Sequence, residues 1–267
     1  MLDSLGFIDS ISMQKKYILL AVVSFLLLFI SNTAICQSPT NLDKDVLYRK
    51  EKAFFFVLHN EGWGIGYRKG NHLAFNKTRM IEGEIVGMSH PKETKSENPY
   101  FGDAHGYVFG QINSLYILRG GIGFKRMLND KPYWGGVQLS YIYFGGASLA
   151  LARPKYLYII NIDNSSPYGY QLTLEHYNPD KHFEENIYGG GPLLKGFENI
   201  KPYPGLYGKF GFNFEFGEYD EKIRAIEVGG VFDYYFASIP MMAFNKYPNY
   251  FLTLYINIQF GKRYNMY

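Results

Sequence analysis

The chain has 267 residues, a length compatible with one β domain. Charged residues are 19% and the formal net charge is +3, so the composition gives no sign of nucleic acid as a partner. Aromatic residues are 18%, with 25 Tyr and 22 Phe, yet the mean hydropathy is only −0.18. Together these exclude a bundle of membrane helices and suit a transmembrane β-barrel, in which only alternate residues face lipid and Tyr gathers at the interfaces.

Residues 1–36 are expected to be a signal peptide. Lys15 and Lys16 form a basic start, and Ile18–Ile30 is apolar apart from Ser24. That run is shorter than the ~20 residues a membrane-spanning helix needs. Ala34 and Cys36 are the small residues of a cleavage region if the cut precedes Gln37. Met13 offers a second start, which makes 1–12 an upstream extension of the reading frame. Cys36 is the only cysteine, so a cut after it leaves a mature chain without disulfides. Two alternatives stay open: lipid attachment at Cys36, where Ile35 occupies the place of a small residue, and an uncleaved helical anchor. Residues 37–51 are polar and read as a periplasmic lead-in.

From residue 52 to 267 the chain reads as strands joined by loops of alternating length. Ala53–Leu58 is solidly apolar. Gly62–Arg68 alternates Trp63, Ile65 and Tyr67 against glycines and Arg68, and Gly70–Asn76 reads as a turn. Arg79–Ser89 puts Ile81 and Ile85 opposite Glu82 and Glu84. A polar loop over 90–106 follows. Leu115–Arg126 sets Tyr116, Leu118, Ile122 and Phe124 against Arg119 and Lys125, ahead of a tight turn at Asn129–Pro132. Trp134–Ala150 carries Val137, Leu139, Tyr141 and Tyr143 on one parity. A long loop spans 152–202. Leu206–Gly217 then places four phenylalanines, Phe210, Phe212, Phe214 and Phe216, on one face and Lys209 and Glu215 on the other. Ile223–Tyr235 opposes Ile226, Val228 and Phe232 to Glu227 and Asp233. Phe251–Gly261 opposes Leu252, Leu254, Ile256, Ile258 and Phe260 to Thr253, Tyr255, Asn257 and Gln259.

These are eight strands of an antiparallel up-and-down barrel. Short connections fall after the even strands and long ones after the third, fifth and seventh, the asymmetry of periplasmic turns against extracellular loops. The short link Asn60–Glu61 is the one misfit. Lys155–Ile160 is apolar enough to extend the barrel wall above the membrane or, with Tyr170–Glu175, to raise the count to ten.

The chain thereby resembles the small outer-membrane β-barrel proteins of Gram-negative bacteria. Its end, Gln259-Phe260-Gly261-Lys262-Arg263-Tyr264-Asn265-Met266, is similar to their assembly signal of the form polar-x-Gly-x-x-aromatic-x-hydrophobic, with Tyr267 one residue beyond. The loop phrases Ser89–Glu93 and Tyr177–His182 resemble a Bacteroidota-type barrel family, which brings no activity with it. The resemblance implies an outer-membrane location. It also implies lipid and lipopolysaccharide as surroundings, and the barrel-assembly machinery as a partner during insertion.

Nine charged residues share the face opposite the apolar one: Arg68, Glu82, Glu84, Arg119, Lys125, Lys209, Glu215, Glu227 and Asp233. On a barrel that face is the lumen. Eight strands enclose a space just wide enough for side chains, and buried charges must be paired. A salt-bridge plug is therefore expected, with a narrow polar conduit or a titratable site as the alternative. The six histidines, His59, His72, His90, His105, His176 and His182, lie mostly at strand ends or in loops. His176, Asp180, His182, Glu184 and Glu185 are close in sequence but match no strong metal spacing. No GxSxG, HExxH or GxxxxGK[ST] is present. No cofactor or metal is expected. The leading expectation is a non-enzymatic, plugged barrel that binds a surface ligand or partner protein through its 152–202 loop. The alternatives are a rim enzyme acting on lipid or peptide and, more weakly, a narrow channel for small solutes.

Overall fold

The structure, a computed structural model, describes residues 48–99, 101, 104–131, 136–162, 169–192, 194–217 and 221–265. The expected signal peptide, its cleavage region and most of the lead-in lie outside the described residues. In chain order the strands are β1 (Lys50–His59), β2 (Gly62–Ala74), β3 (Lys77–Met88), β4 (Lys95–Ser96), β5 (Tyr107–Val108), β6 (Asn113–Asn129) and β7 (Val137–Pro154). There follow β8 (Tyr156–Ile162), β9 (Tyr170–His176), β10 (Ile187–Gly190), β11 (Lys201–Phe216), β12 (Lys222–Tyr235) and β13 (Tyr250–Tyr264).

Eight of these close into an antiparallel barrel in the order β1-β13-β12-β11-β7-β6-β3-β2. All eight strands expected from the alternation are in it, and all are longer than the alternation alone suggests. β2 runs to Ala74, so most of Gly70–Asn76 is strand and not turn; His72 pairs directly with Thr78. β7 continues to Pro154 and β11 begins at Lys201, which shortens the expected 152–202 loop from both ends. β1 begins at Lys50, inside the expected lead-in. β7 starts at Val137, after Trp134, which lies outside the described residues together with the rest of 132–135. Met266 and Tyr267, the end of the assembly-signal match, also lie outside them.

The ten-stranded alternative does not hold. β8 and β9 pair with each other, and β8 pairs with β10, in a separate three-stranded sheet of order β10-β8-β9. A short β4–β5 ladder makes a third sheet. Closure explains the count: β1 registers against β13 from Lys50↔Tyr264 to His59↔Tyr255, leaving neither strand a free barrel edge.

The barrel is apolar outside and polar within. Phe54, Ile65, Ile81, Ile122, Phe210, Phe212, Leu252, Leu254 and Phe260 are exposed, whereas the intervening Glu82, Lys209, Asn213, Glu227 and Gln259 are buried. A depression of about 720 Å³ in the outer wall is lined in part by Phe54, Ile65, Tyr67, Gly83, Ile85 and Leu118. The connections 60–61, 89–112, 155–200 and 236–249 leave one end of the barrel, and 75–76, 130–136 and 217–221 leave the other.

Two pairs of facing glycines make room inside for tyrosines. Gly121 pairs with Gly146, and a Cβ on Gly121 would fall 2.6 Å from the Tyr207 hydroxyl. Gly211 pairs with Gly229, and a Cβ on Gly229 would fall 2.2 Å from the Phe210 carbonyl oxygen and 2.9 Å from the Tyr255 hydroxyl. Gly83, by contrast, faces outward with nothing within 4 Å of such a Cβ. Gly229→Ala is expected to destabilise the barrel by about 1–3 kcal/mol through overpacking. Gly83→Ala is expected to change it by less than about 0.5 kcal/mol. Urea unfolding of the two variants in the same lipid vesicles checks the contrast.

Candidate functional site: the charged barrel interior

Strand alternation turns every second residue of the barrel strands inward, and the pairing register decides which of the inward polar residues meet. In the middle of the lumen they form one alternating array. The Arg68 guanidinium donates to Glu82 and, at 2.8 Å, to Glu227. The Lys209 ammonium donates to Glu82 at 3.0 Å and to Glu84 at 2.7 Å. The Arg119 guanidinium donates to Glu84 at 2.6 Å and to both oxygens of Asp233 at 2.9 and 2.7 Å. The order is Glu227–Arg68–Glu82–Lys209–Glu84–Arg119–Asp233, so each cation lies between two carboxylates.

The array has one more acid than base, and the Glu227 end is supported by neutral donors. Glu227 accepts from the Tyr255 hydroxyl at 2.9 Å, Gln259 at 2.5 Å and Asn213 at 3.3 Å. Aromatic rings line the cations. Arg68 lies 5.0 Å from the Phe55 ring centre and 4.7 Å from that of Phe144, and Lys209 lies 4.8 Å from that of Tyr255.

A second cluster occupies the end where the short turns lie. Glu215 accepts from Lys125 at 3.2 Å, Lys131 at 3.1 Å and Arg263 at 2.5 Å. Arg263 also lies 3.4 Å from Glu51, which lies 3.4 Å from His72. All nine charged residues singled out in the sequence are thus buried and paired, seven in the central array and two, Lys125 and Glu215, in the second cluster. Sequence reading missed Glu51, Lys131 and Arg263. Glu51 and Arg263 continue the inward parity of β1 and β13 beyond the assumed strand ends. Lys131 stands in what reads as a plain turn.

The opposite mouth is closed by apolar side chains. Ile239 and Met241, from the connection between β12 and β13, pack with Val86, Met88, Leu115, Ile117, Tyr235 and Phe251. The backbone seats this loop: Ile112 and Asn113 donate N–H bonds to the Met241 carbonyl at 2.9 and 3.2 Å, and Ala243 donates to Gly110 at 2.8 Å. Medium-length loop residues therefore finish the lumen, which alternation within strands does not reveal.

His72 and His182 each have defined partners. The Thr78 hydroxyl is 3.0 Å from His72 Nδ1, with Glu51 on the far side, in the order hydroxyl, imidazole, carboxylate. Thr78 is buried inside the lumen, which gives a substrate no approach to the hydroxyl. His182 accepts the Asn178 N–H at Nδ1, which leaves the proton on Nε2 to reach Glu175 at 3.3 Å. The Asp180 backbone N–H donates to the Asn178 side-chain oxygen at 2.9 Å, and Glu184 and Glu185 lie in a 3₁₀ turn. Among the described residues no group of three or more His, Cys, Asp or Glu is placed to hold a metal ion.

No protein-family model matches the chain, and a search of curated proteins finds no relative. Among solved structures it is similar to the crystal structure of Ail, the attachment invasion locus protein of Yersinia pestis, in complex with the heparin analogue sucrose octasulfate. The two share 9% identity over 80% of this chain and 96% of that one, with a TM-score of 0.36. A second crystal structure of Ail matches at 8% identity over 82% and 100% of the two chains, with a TM-score of 0.33. Likenesses of this size carry no argument, and the fold rests on the strand pairing itself.

Lys209→Met leaves Glu82 and Glu84 each short of a cation, and the expected loss is about 3–5 kcal/mol. Adding Glu84→Gln is expected to restore much of it, because Arg119 keeps Asp233. Unfolding free energies of the single and double variants measure the coupling. A pH effect is expected outside the barrel. Hydrogen bonds from Thr173, at 2.8 Å, and from His182 hold the Glu175 carboxyl below its ordinary value. The folded value is depressed, so this stabilisation is full above the ordinary carboxylate range and is lost as pH falls through the lowered value. Amide exchange in β8 and β9 is expected to rise in that acid window in the native chain and to lose that dependence in Glu175→Gln.

Proposed function

We propose that this chain is an integral outer-membrane β-barrel whose lumen is closed by its own side chains and which works at the cell surface through the structure above its capped mouth. The observation that carries the reading is the combination of an apolar outer wall with an interior in which, among the described residues, six basic and six acidic side chains meet. The bases are Arg68, Arg119, Lys125, Lys131, Lys209 and Arg263, and the acids Glu51, Glu82, Glu84, Glu215, Glu227 and Asp233. A water-soluble barrel would invert this distribution. The signal peptide over 1–36, the lead-in over 37–51, the surrounding lipid and lipopolysaccharide, and insertion by the barrel-assembly machinery belong to the same reading.

The β8–β9–β10 sheet belongs to the longest connection, and it stands on a core of Leu157, Ile159 and Ile187 against Tyr107, Tyr177 and Ala243. A packed sheet on the long-loop side is a platform for recognition. Long loops outside and short turns inside support placing this end toward the medium. A channel is opposed by two closures in series, the apolar mouth and the ionic array. A rim enzyme lacks its constellation among the described residues, where the one hydroxyl–imidazole contact, Thr78–His72, lies in the lumen at the other end.

The mature protein is expected to fractionate with the outer membrane and to migrate differently on gels with and without heating. A tag inserted in 163–168 should be labelled on intact cells, and one in 218–220 only after permeabilisation. In planar bilayers the native barrel should show no steady conductance. Recovery in the soluble fraction, inverted labelling or an open lumen would each overturn the corresponding part of the reading.

A further inference from the structure

A row of lysines crosses the outer wall near the short-turn end. Lys222 pairs with Lys262 across β12–β13, Lys262 with Lys52 across β13–β1, and Lys52 with Lys69 across β1–β2. The four stand side by side, with about 4.8 Å from strand to strand. They share the outward parity of Phe260, Phe54 and Tyr67, which lie two residues away along β13, β1 and β2. Every Lys, Arg, Asp or Glu on that face of these four strands is basic, whereas their acids, Glu51, Glu227 and Asp233, are buried inside. Lys52 lies 5.6 Å from the Tyr264 ring centre, a contact that leaves its charge in place. Like charges directly opposite one another destabilise a sheet. Three successive lysine pairs are therefore unfavourable unless an anion lies against them.

The apolar depression of about 720 Å³ begins where this row ends. Phe260, Phe54 and Tyr67 line it, and so does Gly83, which pairs with Tyr67. Gly83 also faces Gly120 across β3–β6, and a Cβ on either glycine would meet nothing within 4 Å. The two glycines leave bare backbone beside the aromatic wall. Cations in a row next to an apolar hollow match an amphiphile with an anionic head and a hydrocarbon tail. We propose that this wall holds an anionic glycerophospholipid, with its phosphate on the lysine row and an acyl chain in the depression. The proposal rests on the orientation given above, which puts the short turns, and with them the row, in the inner leaflet. Lipopolysaccharide belongs to the outer leaflet, so a glycerophospholipid is the anionic lipid this end meets.

The test uses the full mature barrel in neutral detergent micelles, where binding does not depend on which leaflet the row faces. The probes are dioleoyl phosphatidylglycerol and dioleoyl phosphatidylcholine, which share their tails and differ in headgroup charge, and glycerol phosphate, which has no tail. Native mass spectrometry counts bound lipid, and the heat-dependent gel shift verifies that each variant folds. The native barrel should retain phosphatidylglycerol about tenfold or more better than phosphatidylcholine. Lys52→Gln combined with Lys262→Gln should abolish that preference. It should not lower unfolding stability in phosphatidylcholine vesicles, because it removes like-charge pairs. Lys262→Gln alone should halve the preference or more, and it serves if the double variant does not fold. Gly83→Leu, which fills the depression, should weaken both lipids while keeping their ratio. Lys201→Gln, at the other end of the barrel, should change neither. The proposal is overturned if the two lipids bind alike, if the lysine variants keep the full preference, or if Gly83→Leu binds as the native barrel does. It is also overturned if glycerol phosphate displaces phosphatidylglycerol, since the row then takes a bare phosphate. Displacement by lipid A at lower concentration than by phosphatidylglycerol itself overturns it too, since lipopolysaccharide is then the occupant. Equal binding of the two lipids with correct surface labelling would remove the lipid site alone. A phosphatidylglycerol preference with inverted labelling would remove the orientation alone.

Discussion

Every part of the barrel depends on Arg68 and the two carboxylates it holds, Glu82 and Glu227. The guanidinium is buried between the Phe55 and Phe144 rings, so its desolvation is offset only by charge-assisted bonds of good geometry. Those bonds require β2, β3 and β12 to be in one register around a closed ring. A slip of one residue in any of them would turn its charged residue out toward the apolar wall and its aliphatic residue in. The ionic array therefore specifies the register as much as it contributes energy.

The same array explains why the lumen needs small residues beside large ones. Tyr207 and Tyr255 reach across the interior over facing glycine pairs, and the Tyr255 hydroxyl completes the shell of Glu227. Charge pairing and packing are thus one problem here, since glycines admit the rings that line Lys209 and Arg68.

Much of this was legible in the sequence, for a physical reason. A strand with an apolar outer surface on one side and a polar lumen on the other must alternate, and the alternation in Leu206–Gly217, Ile223–Tyr235 and Phe251–Gly261 marked both the elements and the inward residues. The partners were not legible. Whether Lys209 meets Glu82, Glu84 or Glu215 depends on the stagger between strands, and no single strand records it. Strand ends were also hidden. Ala74, Pro154 and Lys201 belong to strands that continue beyond the apolar band, where composition turns polar and looks like loop. The mouth closure by Ile239 and Met241 was hidden because a loop folded inward has no periodicity.

Arg68 and Glu227 stand far apart in the chain, as do Arg119 and Asp233, Lys125 and Glu215, and Lys209 and Glu82. In each pair one member comes from the strands before β8 and the other from those after β10. The first half alone still pairs Arg68 with Glu82 and Arg119 with Glu84, and the second half adds Glu227 and Asp233 to them. The second carboxylate of each of these arginines therefore arrives only with β12, so the ionic array is complete only when the chain's end has closed the seam between β1 and β13.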